Sequence, residues 1–511
     1  MIDLTVAHIA EIVGGTLTDI SPRAAAELRV TGTVEFDSRA VGPGGLFLAL
    51  PGARSDGHDH AGSAVAAGAV AVLAARPVGV PAIVVSPEPR DSRASVLEHD
   101  ADGSGAAVLA ALARLAKAVA AELVAGGLTI VGITGSSGKT STKDLVAAVL
   151  EPLGEVVAPP GSFNNELGHP WTVLRATPST DYLVLEMSAR HPGNIAALAD
   201  IAPPAIGMVL NVGAAHLGEF GSRDAIARTK AELPQAVPPS GVVILNVDDP
   251  AVAAMAETTA ARVVRVSRAG PADVWAGPVS LDELARPRFA LHAGDAQADV
   301  RLGVYGDHQV TNALCAAAVA LQCGAGVERV AAALAGAGPV SRHRMQVTTR
   351  PDGITVIDDA YNANPDSMRA GLQALAWIAH RTERPRRSWA VLGEMAELGD
   401  DAITEHDRIG RLAVRLDVSR LVVVGTGRSM SAMRHGAVLE GAWDSWGSDT
   451  DKGAVSVPDG DAALALLRAK MQPGDVVLVK ASNAAGLGAL ADALAAEGSA
   501  GPGDSAGGVR A

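Results

Sequence analysis

The stretch LTIVGITGSSGKTSTKD at residues 128–144 has the residue types and the spacing needed to bind a polyphosphate. A β-branched apolar run ends at a glycine-rich turn, and a helix-forming stretch follows Lys139 and Thr140. Glycines let backbone N–H groups approach phosphate oxygens, and a helix N-terminus adds partial positive charge. Lys139 can neutralise β- and γ-phosphates, while the Thr140 hydroxyl can bind Mg²⁺. The predicted phosphate loop comprises Gly135, Ser136, Ser137, Gly138, Lys139, Thr140 and Ser141.

This loop is a shortened form of the common phosphate-loop pattern. That pattern has a glycine five residues before Gly138, and this chain has Ile133 there. The alternative interpretation is a chance Gly/Ser turn before a lysine. The predicted strand before the turn and the predicted helix after it favour the phosphate loop.

Four further polar sites lie where the next predicted strands end or helices begin, namely the pair Asn164-Asn165, Glu186, His216 and Lys230. Open α/β sheets bind ligands at the carboxyl ends of their strands. A carboxylate and a histidine beside a phosphate loop can complete the shell of a metal ion. We therefore predict Thr140, Glu186 and His216 as metal ligands. Taken singly, Glu186 also fits a residue beside a helix N-cap, and His216 fits a loop histidine with ordinary partners.

Lys230 lies in the helix-forming run RDAIARTKAEL, where a solvated lysine is the usual case. Next to a divalent metal, its amine can instead react with CO₂ to give a carbamate. A carbamate supplies an anion, which an ordinary lysine cannot. Both interpretations of Lys230 stay open at this point.

Two later segments contain candidate contacts to a nucleotide. His308 and Asn312 in GDHQVTN are four residues apart, so they share a helix face and can contact a base or ribose together, although a capping segment is the alternative. Arg344 in SRHR can stabilise charge on a transferring phosphoryl group if it comes from another domain. The run IDDAYNANP at residues 357–365 indicates a ligand loop, with ordinary strand-to-helix turn chemistry as its alternative.

Composition narrows the class of protein. A chain of 511 residues should form about three domains. Its 48% hydrophobic but 3% aromatic content predicts aliphatic cores, and its net charge of −14 argues against a nucleic-acid or anionic-membrane binder.

Cys315 and Cys323 have no metal-type spacing and suit a reducing compartment. No signal-peptide core is present near the start, and residues 105–127 carry three charges, so we expect a cytoplasmic protein without membrane insertion.

Helix and strand patterns divide the chain into three α/β regions, residues 1–100, 106–338 and 340–496, and a Gly/Ser/Ala-rich tail, 497–511, that we expect to be disordered. The middle region has the near-continuous apolar strands of a parallel sheet, and the third region has a Rossmann-like pattern. The predicted strands cover residues 30–36, 46–50, 69–74, 82–85, 128–133, 182–186, 205–211, 241–246, 354–357, 388–392, 420–424 and 475–479.

Taken together, these segments resemble the Mur ligase family over nearly the whole chain. The segments GITGSSGKTSTKD, NNELGHP, EMS and GDHQVTNALCAAAVA follow one another in the family's order. IDDAYNANPDSM, supported by VLGEMAELGD and VLVKASNAAGL, is most typical of the member that adds D-alanyl-D-alanine. FDSRAVGPGGLFLALPGARSDGHDH resembles a segment that binds UDP-muramoyl substrates.

The resemblance implies an ATP-driven ligase that joins D-alanyl-D-alanine to UDP-muramoyl-tripeptide through an acyl phosphate, in the synthesis of the peptidoglycan cell wall. It implies two Mg²⁺ ions, a carbamylated Lys230, and a monomer. It also implies that Asp359 or Asp358 contacts the ribose, and that Lys139, His216, Lys230 and Arg344 take part in catalysis. The implied substrate contacts are Asp37, Ser38, Arg39, Asn362, Asn364, Lys480 and Asn483.

Three alternatives remain at this stage. The relative that adds diaminopimelate or lysine typically carries an Asp-Asn-Pro-Arg motif in its third domain, and that motif is not found here. Folylpolyglutamate synthase does not resemble residues 30–60. A nucleotide-binding switch or scaffold is the alternative from another class, and the two additional α/β regions argue against it. Whether the tripeptide ends in diaminopimelate or lysine cannot be derived from these residues.

Overall fold

The computed structural model describes residues 1–52, 55–87, 97, 99–213, 217–381, 385–441 and 453–497. In this part of the chain the strands form sheets of five, ten and six strands and one two-stranded pair. The three large sheets follow one another along the chain. The predicted three-domain α/β fold with largely parallel sheets is confirmed. The predicted tail falls almost entirely outside the described residues.

The N-terminal region consists of β1 (Leu4–Thr5), α1 (Val6–Val13), β2 (Thr16–Thr18), α2 (Pro22–Glu27), β3 (Arg29–Val30), β4 (Val34–Glu35), β5 (Gly45–Leu48), a 3-10 helix (Gly57–His60), α3 (Ala61–Ala67), β6 (Ala69–Ala74) and β7 (Ala82–Val84). Its sheet has the order β2–β7–β6–β5–β4. The single strand predicted at 30–36 is instead divided into β3 and β4. The division lies at Gly32, where a Cβ atom would come 2.6 Å from the Pro43 carbonyl oxygen.

The middle region consists of α4 (Ser104–Ala125), β8 (Thr129–Thr134), α5 (Lys139–Leu150), β9 (Val156–Val157), α6 (Gly168–Val173), β10 (Tyr182–Glu186), α7 (Asn194–Ile201), β11 (Ile206–Val209), α8 (Leu217–Phe220), α9 (Arg223–Ala236), β12 (Val242–Asn246), α10 (Pro250–Ala253), a 3-10 helix (Ala254–Thr258), β13 (Arg262–Ser267), β14 (Val274–Ala276), β15 (Ser280–Leu281), β16 (Pro287–Ala293), β17 (Ala296–Arg301), α11 (Gln309–Gln322) and α12 (Val327–Gly336). The strand order is β15–β16–β14–β13–β12–β11–β8–β10–β9, and β17 pairs with β16.

The antiparallel strands at one edge of this sheet were not predicted from the sequence. β16 pairs antiparallel with β14, β15 and β17. Most residues of β17 are exposed, so this strand lacks the continuous apolar run that marks the parallel strands.

The third region consists of β18 (Gln346–Thr349), β19 (Thr355–Asp358), α13 (Pro365–His380), β20 (Ser388–Leu392), a 3-10 helix (Gly399–Asp401), α14 (Ala402–Arg415), β21 (Arg420–Val424), α15 (Arg428–Leu439), β22 (Gly453–Val457), α16 (Gly460–Lys470), β23 (Val476–Lys480), a 3-10 helix (Asn483–Ala485) and α17 (Gly488–Ala496). The sheet order is β18–β19–β23–β20–β21–β22. Only β18, at the edge, is antiparallel to its neighbour.

Helix α4 joins the first region to the second. Leu112 and Leu115 are fully buried in a core that contains side chains from both regions. Arg114 and Lys117 lie on the exposed face, as an amphipathic helix requires. None of the described helices combines the length and the apolar character that a membrane crossing demands.

The order of the central strands positions the phosphate loop. β8 lies between β10 and β11, and all three strands run parallel. The loop after β8 therefore starts beside Glu186 at the end of β10 and beside the residues that follow β11. Ile133, which occupies the position of the first glycine in the longer loop pattern, is fully buried within β8, so the turn begins after it.

The second and third regions contact each other directly. The Trp377 indole N–H donates to the Asp282 carbonyl at 2.9 Å. At another contact, Arg190 forms an ion pair with Glu397 at 2.6 Å. A cleft between these two regions is thereby bounded by side chains from both.

Packing of α14 on α15 gives a stability test. A Cβ atom at Gly410 would lie 1.9 Å from the Met433 carbonyl oxygen. The helices must separate to admit it, so we expect Gly410→Ala to lower the free energy of unfolding by about 1–3 kcal/mol. Gly336→Ala at the end of α12 is the matched control, because no atom lies within 4 Å of its Cβ position. Equal thermal midpoints for the two variants would contradict this packing.

Candidate functional site

A cavity of ≈ 1070 Å³ lies between the middle and third regions, and residues 136–141 line it. Helix α5 begins at Lys139 with no side-chain cap, and its first backbone bond runs from Thr142 N–H to the Gly138 carbonyl at 2.8 Å. Within the described part of the chain, the N–H groups of residues 138–141 have no acceptor. These free donors and the positive end of the helix dipole suit a phosphate group.

Both the backbone conformation and the close neighbours of residue 138 require a glycine there. Its φ of 83° lies in the left-handed region. A Cβ atom at this position would lie 2.7 Å from Asn312 Oδ1. This contact also brings the start of α11 against the phosphate loop.

Asn211, just after β11, holds the phosphate loop. Its Oδ1 atom accepts the N–H groups of Ser136 and Ser137 at 2.9 and 3.0 Å. Its Nδ2 group donates to the Ser137 carbonyl at 3.1 Å. Ser136 and Ser137 thus line the cavity while their backbone N–H groups bind Asn211. The donors left for phosphate are those at the start of α5.

Lys139 lies inside the loop, and its Nζ donates to the Gly135 carbonyl at 2.7 Å. Burial lowers the pKa of Lys139, and the nearby Glu186 carboxylate opposes this shift. The Lys139 amine therefore lies close to both the loop and the end of β10.

Glu186 has one oxygen atom without a partner. The residue is only 2% exposed, and its Oε2 atom accepts from Ser162 Oγ at 3.1 Å and from Asn164 Nδ2 at 3.2 Å. Its buried Oε1 atom has no hydrogen-bond partner among the described residues. A desolvated carboxylate oxygen without a donor fits a metal ligand. The Thr140 hydroxyl, also buried beside the cavity, is a second oxygen donor that suits Mg²⁺.

Lys230 is buried on α9, with 6% exposure and no hydrogen-bond or ion-pair partner within the described residues. Burial, reinforced by the Lys139 cation, places the pKa of Lys230 well below its ordinary range. The solvated-lysine interpretation is therefore wrong. His216, the other residue predicted near the metal, lies outside the described residues.

Arg344 reaches the phosphate loop from the third region. Its Nη2 group donates to Thr140 Oγ1 at 3.2 Å, and its guanidinium carbon lies 4.1 Å from the centre of the Tyr361 ring. Its buried Nε group has no partner among the described residues. The predicted arginine from another domain is thus adjacent to the loop.

Asp359 and Lys480 form a buried ion pair at the wall of the cavity. The other oxygen of Asp359 accepts the Met345 N–H at 3.2 Å, and Lys480 also donates to the Asn362 carbonyl at 2.9 Å. Burial lowers the pKa of Lys480, and Asp359 opposes the shift. This pair joins the end of β19 to the end of β23.

Polar residues of the two ligand loops line the same cavity. Asn362, Asn364 and Asn483 all face it. Asn364 also caps α13, since its side chain accepts the Ser367 N–H at 2.8 Å. Asn165 likewise lines the cavity while its Oδ1 accepts the Gly168 N–H at 2.9 Å. For these two asparagines, the predicted ligand role coexists with turn chemistry.

His308 and Asn312 also line the cavity. Asn312 Nδ2 donates to Gln309 Oε1 at 2.9 Å, and burial lowers the pKa of His308. Asn312 lies beside the start of α5, because its Oδ1 would be 2.7 Å from a Cβ atom at Gly138.

The N-terminal candidates lie apart from this cavity. Asp37 and Arg39 form a bidentate ion pair, in which Arg39 Nε donates to Asp37 Oδ1 at 2.9 Å and Nη2 donates to Oδ2 at 2.7 Å. These bonds lower the pKa of Asp37 to about 2. Neither they nor Ser38 belong to the described residues that line the cavity. The adjacent Phe36 contacts Trp171, whose ring centre lies 4.5 Å from that of Phe163.

Comparison with known proteins identifies the family of this chain. Residues 32–120 match the Mur ligase family catalytic domain, residues 133–320 the Mur ligase middle domain, and residues 343–483 the Mur ligase glutamate ligase domain. Over 502 residues, the chain is 82% identical to the UDP-N-acetylmuramoyl-tripeptide–D-alanyl-D-alanine ligase of Mycobacterium tuberculosis, covering 97% of this chain and 98% of the relative. The chain belongs to the Mur ligase family.

Solved structures of Mur ligases share its fold. A crystal structure of MurF from Acinetobacter baumannii superposes with a TM-score of 0.78 at 29% identity and covers 97% of this chain and 99% of that one. The MurF ligase of Thermotoga maritima in complex with ADP gives a TM-score of 0.71 at 27% identity, with coverage of 91% and 97%.

Sequence reasoning missed two contributors to the site of this Mur ligase. Asn211 was noticed only as the end of a predicted strand, and its bonds to the loop depend on the neighbouring position of β8 and β11. Of the pair Asn164-Asn165, only Asn165 was predicted to bind a ligand, whereas Asn164 is the residue that donates to Glu186. An asparagine directly after a buried parallel strand was the one signal available for Asn211.

The role of Asn211 can be tested directly. Asn211→Ala removes the Oδ1 acceptor of the Ser136 and Ser137 N–H groups and leaves the Ser136 N–H only the Asn211 carbonyl at 3.2 Å, so the phosphate loop should hold its shape less firmly. We expect the dissociation constant for ATP to rise by about tenfold, equivalent to about 1.4 kcal/mol. Calorimetric titration with ATP would measure it. Lys117→Ala, at a remote and exposed site on α4, is the control. Unchanged ATP affinity in Asn211→Ala would contradict the role.

Proposed function

We propose that this enzyme joins D-alanyl-D-alanine to UDP-N-acetylmuramoyl-tripeptide, using ATP, and forms the pentapeptide precursor of peptidoglycan. The substrates come from the name of the relative with 82% identity over nearly the full chain. The reaction type is supported by one observation above all. A third-domain arginine contacts the phosphate-loop threonine beside the free N–H groups of α5.

The first step transfers a phosphoryl group. An oxygen of the tripeptide's terminal carboxylate attacks the γ-phosphorus of ATP, the bond to the β,γ-bridging oxygen breaks, and ADP leaves. Lys139, Arg344 and the N-terminus of α5 stabilise the charge that develops on the phosphoryl oxygens. This transfer is needed because a carboxylate is a poor electrophile, whereas an acyl phosphate has a good leaving group.

The second step forms the amide. The neutral amine of D-alanyl-D-alanine attacks the acyl carbon, a tetrahedral intermediate forms, and phosphate leaves as the C–O bond breaks. The nitrogen loses a proton in the process. No covalent protein nucleophile is required. Closure of the third domain over the central one would exclude water, which otherwise hydrolyses the acyl phosphate.

Thr140 and Glu186 would hold Mg²⁺, and we place His216 in the same metal shell. When bound, Mg²⁺ neutralises charge on the phosphate oxygens and polarises the phosphoryl group. The unpartnered Glu186 Oε1 and the buried Thr140 hydroxyl are the donors that support this assignment.

Lys230 is our candidate for carbamylation. Only a neutral amine attacks CO₂, and the pKa of Lys230 lies well below its ordinary range because of burial and Lys139. A carbamate would replace a destabilised cation by an anion beside Lys139. It would also bring a further oxygen donor toward the second Mg²⁺.

The remaining contacts divide among the domains. We assign residues 1–100, with Asp37, Ser38 and Arg39, to the UDP-sugar, and residues 106–338 to ATP. His308 and Asn312 would contact the nucleoside, and Asp359 the ribose. Residues 340–496 would bind the dipeptide. The substrate contacts proposed there are Asn362, Asn364, Lys480 and Asn483. This role implies a cytoplasmic enzyme that supports cell shape and division.

Phosphate release tests the proposed function. With ATP and UDP-muramoyl-tripeptide, we expect release only when D-alanyl-D-alanine is present, and a pentapeptide product by mass spectrometry. Turnover with UDP-muramoyl-dipeptide and a diamino acid would assign the preceding step instead. If neither assay shows phosphate release, a nucleotide-binding switch would be favoured.

Loss of Lys139 should abolish turnover. Lys139→Ala removes the cation that neutralises the β- and γ-phosphates, and we expect the steady-state rate to fall by about a thousandfold. Lys117→Ala is the matched control, since that lysine lies on α4 and is 53% exposed. Normal phosphate release from Lys139→Ala would rule out the phosphate-loop assignment.

The carbamate predicts chemical rescue. Lys230→Ala should lose most activity and regain part of it with added acetate or propionate, because a small carboxylate can occupy the space of the carbamate. The same salts should not improve Lys139→Ala. Full activity of Lys230→Ala without any added carboxylate would contradict carbamylation of Lys230.

A further inference from the structure

Arg344 has an unusual backbone on both sides. His343 has a φ of 56° and Met345 a φ of 51°, and both lie in the left-handed region that side chains other than glycine rarely adopt. Such a conformation persists only where surrounding contacts hold it in place. The segment that presents Arg344 to Thr140 therefore needs identifiable holding contacts.

Asp358 provides the contact on the first side. Its Oδ2 atom lies 2.7 Å from His343 Nδ1, and the carboxylate is buried at the end of β19. The His343 carbonyl in turn accepts the Tyr361 N–H at 3.2 Å. The backbone and the side chain of His343 are thus both bound to the segment that follows β19.

Asp359 provides the contact on the second side. Its Oδ1 atom accepts the Met345 N–H at 3.2 Å, while its other oxygen binds Lys480. Two adjacent aspartates therefore hold the two neighbours of Arg344. The Tyr361 ring lies against the guanidinium between them.

The start of the same segment is attached to the central domain. Ser341 is 1% exposed, and its N–H donates to Asp144 Oδ2 at 3.0 Å. Its Oγ accepts the Gly161 N–H at 3.0 Å. Asp144 belongs to α5, the helix that begins at the phosphate loop. Arg344 is consequently held between an attachment to α5 and two attachments to β19.

We propose that Asp358, acting through His343, is a positioning residue for Arg344 in the ligase reaction. This inference rests on the proposed function, in which Arg344 stabilises the transferring phosphoryl group. The nearby Asp492 does not convert the pair into a metal site. Its Oδ2 lies 4.0 Å from His343 Nε2 and pairs with the Arg342 guanidinium at 2.9 Å.

The first test separates positioning from stability. In Asp358→Ala we expect kcat to fall by about 100-fold, because a misplacement of about 1 Å has that effect on an oriented group. The KM for ATP should stay near that of the unmodified enzyme, while the thermal midpoint should fall because His343 and the Ala360 N–H lose a buried acceptor, so kcat is compared well below that midpoint. Asp461→Asn, an exposed aspartate of the same domain, is the control.

Variants of His343 give a second readout that does not depend on Asp358 variants folding. Glycine adopts a positive φ without strain, whereas alanine does not. We expect His343→Ala to lower kcat more than His343→Gly. Adding Asp358→Ala to His343→Gly should cause little further loss, because the pair is already absent.

A double variant decides whether the effect passes through Arg344. Asp358→Ala should lower kcat little further in the Arg344→Ala background. Equal losses in both backgrounds, or equal kcat for His343→Ala and His343→Gly, would overturn the inference. If Arg344→Ala is too slow to measure, the His343 comparison decides. These outcomes require dipeptide-dependent phosphate release by the unmodified enzyme, and its absence would instead refute the proposed function.

Discussion

The site depends on one electrostatic constraint. A triphosphate and a carboxylate must be brought together in a cleft where water cannot screen their repulsion, so cations and oriented N–H groups must surround them. We propose that the free N–H groups of α5, Lys139, and Arg344 from another domain meet this demand. An overall net charge of −14 shows that this positive character is local.

Sheet topology brings these groups together. β8 lies between β10 and β11, so the phosphate loop, Glu186 and Asn211 meet at one edge of the central sheet. The third domain adds its own strand ends opposite that edge, and two aspartates, the last residue of β19 and the residue after it, hold the neighbours of Arg344. Neither sheet alone contains both the polyphosphate loop and the arginine.

Local patterns allowed most of the fold to be predicted. Nearly continuous apolar runs such as β10 and β20 gave correct strand bounds, because buried parallel strands need apolar residues on both faces. The exposed strand β17 has no such run and was missed. The separate position of Asp37 could not be predicted, because the orientation of the N-terminal domain depends on packing around α4. The partners of Asn211 and Arg344 are distant in sequence, and only the folded structure shows them.

In the proposed reaction the substrate carboxylate, and no protein side chain, receives the phosphoryl group. Isotope transfer tests it most directly. The tripeptide's terminal carboxylate would be labelled with a heavy oxygen isotope, and the released phosphate would be analysed by mass spectrometry after turnover. We predict that each phosphate carries one oxygen from the carboxylate. Phosphate without the label, alongside a pentapeptide product, would contradict the acyl-phosphate route.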